Sequence, residues 1–341
     1  VIKAMLVVCF TTIGAAAQAQ APLYHLIATV PLGGGIKWDY LYFDAPSDRV
    51  FVSHGDEVTV VSGETDQVIG KLAGLPGSHG IRVDPATGLI YADSAGNSNV
   101  VMFDPKTFKP VGSAPVLLDS DGINYDPASK QMFISGGDGH GLTPVSTETR
   151  KAAADIALGS SPEFHVADGA GHEYVDLVDA NQVAVIDTQT NAVTAHWPTG
   201  ACIHPKGAAI DPVSSRLFVS CANGVGLVFD TTTGKIVATL AIGKGTDAAD
   251  FDPARDLFFS SNSDGTLSII KESRANSFTE LANMKTAPGA RTMAVDPATG
   301  RVYLVTARVT KTIPPADPSD HPHFTFAPGS LKLLVYAPVQ P

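Results

Sequence analysis

Seven ionisable side chains recur along this 341-residue chain at intervals of 40 to 44 residues: Asp39, His79, Asp121, Glu163, Lys206, Asp247 and Arg291. Four are carboxylates, two are permanent cations and one is a histidine. Brought to one opening, they would create a focused field and shift one another's proton affinities. The acidic arc of Asp39, Asp121 and Glu163, with His79, suits a cation. Lys206 and Arg291 suit an anionic group, the arginine as a bidentate clamp. A rim position is wet and polar whatever its role, but chance would mix in Ser, Asn, Thr and Gln. The expected occupant is a small polar molecule with a carboxylate or phosphate. His165 joins this set as a candidate ligand contact. It is the polar member of the column Leu41, Ile81, Ile123, His165, Ala208, Ala249 and Met293. A hydrogen-bonded core histidine is the competing reading.

A divalent metal is the one cofactor these residue types suggest. Carboxylates with carbonyls suit Ca²⁺ or Mg²⁺, and histidine with carboxylate suits Zn²⁺ or another transition metal. The candidates are His79, Asp121 and Glu163. His54, Asn97, Asp138, His140, Asn181, Asn223, Asn262 and Asp264 fall near the same end, in tight turns where Asn and Asp are common anyway. His321 and His323 add two donors. No HExxH, paired CxxC or G-x-S-x-G motif is present. A metal-assisted hydrolase or lactonase, with Glu163 or His79 as base, therefore rests on fold analogy alone.

The elements that must position these residues are legible. Each stands five residues before an aspartate: Asp44, Asp84, Asp126, Asp168, Asp211, Asp252 and Asp296. After most of these come Pro, a polar turn and an apolar strand, as in DPATGLIYADS and DPVSSRLFVSC. Residues 216–221, 225–230 and 236–242 read as short β-branched or aromatic strands after AAIDP. Four antiparallel strands per unit of about 42 residues predict an all-β, seven-bladed β-propeller. A link into a first strand and the loop between strands two and three share one end of the ring, here called the top. The seven ionisable residues should line the top mouth of the central channel. HLIATVPLGGG near the N-terminus resembles the outer strand KIVATLAIGKG, and the last repeat lacks a fourth strand. The N-terminal strand is expected to complete that blade and leave no open edge at the seam. Residues 307–330, Pro-rich, interrupt blade seven as an insertion loop, either a lid or an embellishment.

Residues 1–19 read as a signal peptide: Lys3, an apolar run, then Ala17-Gln18-Ala19. The run is short for a bilayer span. Residues 20–341 form one expected domain, periplasmic or secreted, with no membrane span after cleavage. Without Lys3 the chain carries 22 basic against 34 acidic residues, net −12. That charge disfavours a nucleic-acid partner. Cys202 and Cys221 fall at the same end of blade five, and an oxidising compartment makes a disulfide between them the expectation. Two free thiols are the alternative.

FVSHGDEVTVV, VAVIDTQTNAV and VGLVFDTTTGKIVATLAIG resemble the YVTN-type β-propeller repeat of YncE-like proteins. The likeness covers nearly all of residues 20–341. It implies a binding or scaffolding propeller and carries over no catalytic activity. The leading expectation is an exported propeller that binds a small polar or anionic ligand, or a partner protein's loop, at the top mouth. The alternatives are the metal-assisted hydrolase and an interaction scaffold with an inert channel. Oligomeric state is not legible.

Overall fold

Each recurring aspartate caps a tight turn. Asp84, Asp126, Asp168, Asp211, Asp252 and Asp296 accept the backbone N–H two residues on, at 2.7–3.3 Å. Asp44 accepts the Ser47 hydroxyl instead. A side chain that bonds its own downstream backbone stabilises the reversal and leaves the next strand free to pair. These aspartates therefore set register at the bottom of the ring, away from the candidate site.

The computed structural model describes residues 23–273, 276–315 and 321–339, so the expected leader lies outside it. Seven four-stranded antiparallel sheets are arranged as blades. Their inner strands are Trp38–Asp44, Ile81–Val83, Ser120–Asp126, Pro162–Ala167, Pro205–Asp211, Thr246–Asp252 and Met293–Asp296. Each inner strand contacts the next, and that of blade seven contacts that of blade one, so the ring is closed. Blade five continues through Arg216–Cys221, Val225–Asp230 and Lys235–Ala241. In blade seven the outer position is taken by Tyr24–Pro31, antiparallel to Lys332–Pro338.

The core follows from strand alternation. Seven apolar clusters occur, each spanning one pair of neighbouring blades. Trp38, Val50 and Val52 of blade one, for example, pack on Tyr303, Val305 and Leu333 of blade seven. Burying such a side chain contributes roughly 1.5–3 kcal/mol, so each interface is held by several. Cys202 and Cys221 form a disulfide in blade five, with a Cα–Cα separation of 5.4 Å. Among the described residues no helix is long and apolar enough to cross a membrane.

The insertion is more ordered than a plain loop. Val309–Ile313 and His323–Phe326 pair as an antiparallel hairpin. Phe326 meets the Trp38 ring edge-on, 4.7 Å between centroids, which seats the hairpin on blade one. At the other side His321 lies so close to Gly245 that a Cβ there would collide with it. Gly245 also has φ +71°, a conformation that glycine adopts without strain.

Candidate functional site

Register shifts in the inner strands bring the mouth residues inward. The inner strands of blades one, three, four, five and six each lose strict pairing near their top ends, as between Trp38 and Leu41. Such bulges re-aim side chains. Asp39 can then meet neighbours at the mouth while Tyr40 reaches across the channel. The Tyr40 ring meets Phe164 of blade four at 5.3 Å between centroids, nearly edge-on. At Gly80 no Cβ fits, because the backbone of Asp121 and Ile123 is in the way.

The seven expected mouth residues separate into two arcs. In the first, His79 Nδ1 lies 2.6 Å from Asp39 Oδ2 and 3.6 Å from Asp121 Oδ1. Burial alone would lower the His79 pKa. The hydrogen bond and charge of Asp39, with Asp93 and Asp119, reverse this and raise it to about 9. Asp93 holds the histidine from below, accepting the N–H groups of His79 and Gly80 at 2.7 and 2.8 Å. Burial, and then the charge of Asp39 and Glu163, push the Asp121 carboxyl well above its usual range. Its Oδ1 is buried with no hydrogen-bond partner. Ligand atoms of Asp39, His79 and Asp121 all lie within 4.8 Å of one another.

The second arc is a ladder of alternating sign. Lys206 Nζ lies 2.9 Å from Glu163 Oε1 and 3.4 Å from Asp247 Oδ1. Arg291 Nε donates to Asp247 Oδ2 at 2.5 Å. Burial would raise the Asp247 pKa, but Arg291 and Lys206 outweigh it and hold it below the ordinary value. Glu163 is pushed up to about 7 by burial, against the pull of Lys206. The structure thus groups Asp39, and not Glu163, with His79 and Asp121. Lys206 and Arg291, expected as a cradle for an anion, are already paired with carboxylates.

A cavity of about 380 Å³ opens here. Asp39, Glu163, Lys206, Asp247 and Arg291 line it from the ring, and His321 and His323 from the insertion. The two imidazoles lie 4.9 Å apart. The insertion therefore borders the mouth on the side of blades five to seven.

His165 is placed elsewhere. It is buried in the channel wall, its Nδ1 2.7 Å from the buried Glu173, which also accepts from Asn124 at 3.0 Å. Four of the other top-end donors serve local architecture. Asn181 and Asn223 accept the N–H groups of His204 and Ile203, Asp264 accepts that of Lys244, and His54 bonds Thr59. Sequence reasoning missed Asp93 and Asp176, which occupy one position of the second strands where blades one, three, five and six carry Ser53, Ser135, Ser220 and Ser261. The hydroxyls bond backbone carbonyls of the inner strands, and that alignment was the available signal. Asp176 is fully buried and neither of its oxygens has a partner.

No protein-family model and no curated protein matches the chain. Among solved structures it is similar to a chain described as Kuenenia stuttgartiensis hydrazine synthase. The TM-score is 0.69 at 14% identity, covering 93% of this chain and 100% of that one. Identity that low carries the fold alone.

Proposed function

We propose that this protein is an exported binding propeller of the YVTN-like kind. Its top mouth takes a small polar ligand of mixed charge, such as a zwitterionic amino acid. The observation that carries this reading is the mouth cavity. Acids and bases alternate along Glu163, Lys206, Asp247 and Arg291, and two imidazoles of the insertion line it as well. A simple anion would have to displace Glu163 or Asp247 from its cation. A ligand with both signs can join the ladder without leaving a charge unpaired. The disulfide supports an exported setting, and the repeat sequences quoted above support the family placement.

Isothermal titration with amino acids, dicarboxylates, phosphate esters and neutral sugars tests the reading. Zwitterions should bind, and the Lys206→Met/Arg291→Met variant should lose them. Binding of none of the four classes, or undiminished binding by the variant, would overturn it.

A second reading has its own observation. The Asp39, His79 and Asp121 atoms within 4.8 Å suit a divalent cation, which would supply the Lewis acid for a lactone or ester hydrolase. Metal analysis after incubation with Zn²⁺, Mn²⁺ or Ca²⁺, followed by assay on lactones and esters, tests it. No retained ion and no turnover would remove it.

A further inference from the structure

The opposite end of the channel carries a separate constellation. Beside the Tyr40–Phe164 contact lies a small gap of about 10 Å³ among blades one to four, enough for one water at most. A larger cavity of about 390 Å³, lined by Leu41, Phe164, Ala208, Ala249 and Met293 and by residues nearer the turn aspartates, lies further along the inner strands. Pro46 and Pro297, in the bottom turns, also line this cavity, so it opens on the face opposite the insertion.

Its wall mixes aromatic and aliphatic side chains, Phe43, Phe164 and Phe251 among them, with nearly as much polar surface. Three polar groups interrupt it, each two residues before a turn aspartate: Arg82, Asn124 and Asp250. Tyr42 holds the same position in blade one, and the Arg82 guanidinium lies 4.7 Å from its ring centre. Arg82 donates Nη1 to the Ile81 carbonyl at 3.1 Å and Nε to Asn124 Oδ1 at 3.4 Å. Among the described residues no carboxylate forms an ion pair with it within 4.0 Å. Asp250 and Glu173 act on it only at longer range. The Asp250 carboxylate is held by the backbone N–H groups of Phe251 and Val295, both at 2.8 Å. Burial pulls the Arg82 pKa down, as expected for a cation short of counter-charge.

A buried guanidinium at a cavity wall without a paired anion is costly to keep unless something completes it. Guanidinium geometry matches a carboxylate, and the aromatic wall suits a flat apolar body. The volume is at the small end for ligand cavities. We propose that this lower cavity is a second binding site, taking a small aromatic carboxylate whose carboxyl group pairs with Arg82 while its ring packs among Tyr42, Phe164 and Phe251. Inorganic phosphate would leave the aromatic wall unused. An uncharged aromatic would leave Arg82 unpaired.

Benzoate, benzyl alcohol and inorganic phosphate, titrated by calorimetry into the mature protein, decide between these. Benzoate should bind saturably and at least about tenfold tighter than either comparator, about 1.4 kcal/mol. Arg82→Gln should weaken benzoate by at least about tenfold. Should that variant fail to fold, Val166→Phe, which narrows the cavity from a half-buried wall position, should weaken benzoate as well. No saturable benzoate binding, equal binding of benzyl alcohol, or benzoate affinity unchanged in a folded variant would overturn the proposal.

Discussion

Tyr40 of blade one and Phe164 of blade four meet across the channel, their ring centroids 5.3 Å apart, between the mouth cavity and the lower cavity. The pair spans non-adjacent blades, so it braces the ring. Tyr40→Ala should lower unfolding free energy by about 3 kcal/mol, at the lower end for an aromatic truncation because the channel admits water. Urea denaturation checks this, and a loss below about 0.5 kcal/mol would deny the brace.

Asp247 holds two cations at once, Lys206 and Arg291. Asp247→Asn should cost about 2 kcal/mol, below the figure for a fully buried pair because both cations keep access to water. Its carboxyl is held below the ordinary value, so its contribution is present above pH 3.8 and is lost as pH falls through the lowered pKa. Melting curves from neutral to acid pH should therefore show a steeper acid decline for the wild type than for the variant. Parallel curves would contradict this.

Asp176 runs the other way. Burial, reinforced by the charge of Glu163, raises its pKa well above 3.8. A carboxyl raised on folding favours the folded state fully below that value, and the benefit is lost as pH climbs through the raised pKa. Asp176→Asn cannot ionise. Its melting temperature should fall less with rising pH than that of the wild type. A variant whose melting temperature falls as steeply with pH as that of the wild type would contradict this.

The Cys202–Cys221 bridge closes a loop of 19 residues. The chain-entropy model assigns such a bridge about 3 kcal/mol. The Cys202→Ala/Cys221→Ala variant should lose roughly that amount in urea, and reductant should then no longer affect it. Equal stability of both forms would contradict the account.

The fold was open to reading because one turn aspartate per blade is a local device repeated at a fixed interval. The mouth column was legible for the same reason: a fixed offset from each turn places Asp39, His79 and Asp121 on neighbouring blades. How those residues pair was not legible. That Glu163 reaches Lys206 and Asp39 reaches His79 depends on side-chain geometry between blades, which no single repeat encodes. The lower cavity escaped notice because its column mixes Arg82, Asn124 and Asp250 with Val166, Ala209 and Ala294 and so reads as ordinary strand interior. The β-branched residues of VTKTI and the polar–apolar alternation of HFTF are the sequence signs of the hairpin in the insertion.

The most direct test of the central claim is a crystal structure of the protein grown with a mixture of amino acids. The account predicts ligand density in the mouth, against Lys206, Arg291 and Asp39 and beside His321 and His323. Ordered water alone in that cavity, with the ion pairs of Glu163 and Asp247 unchanged, would contradict it.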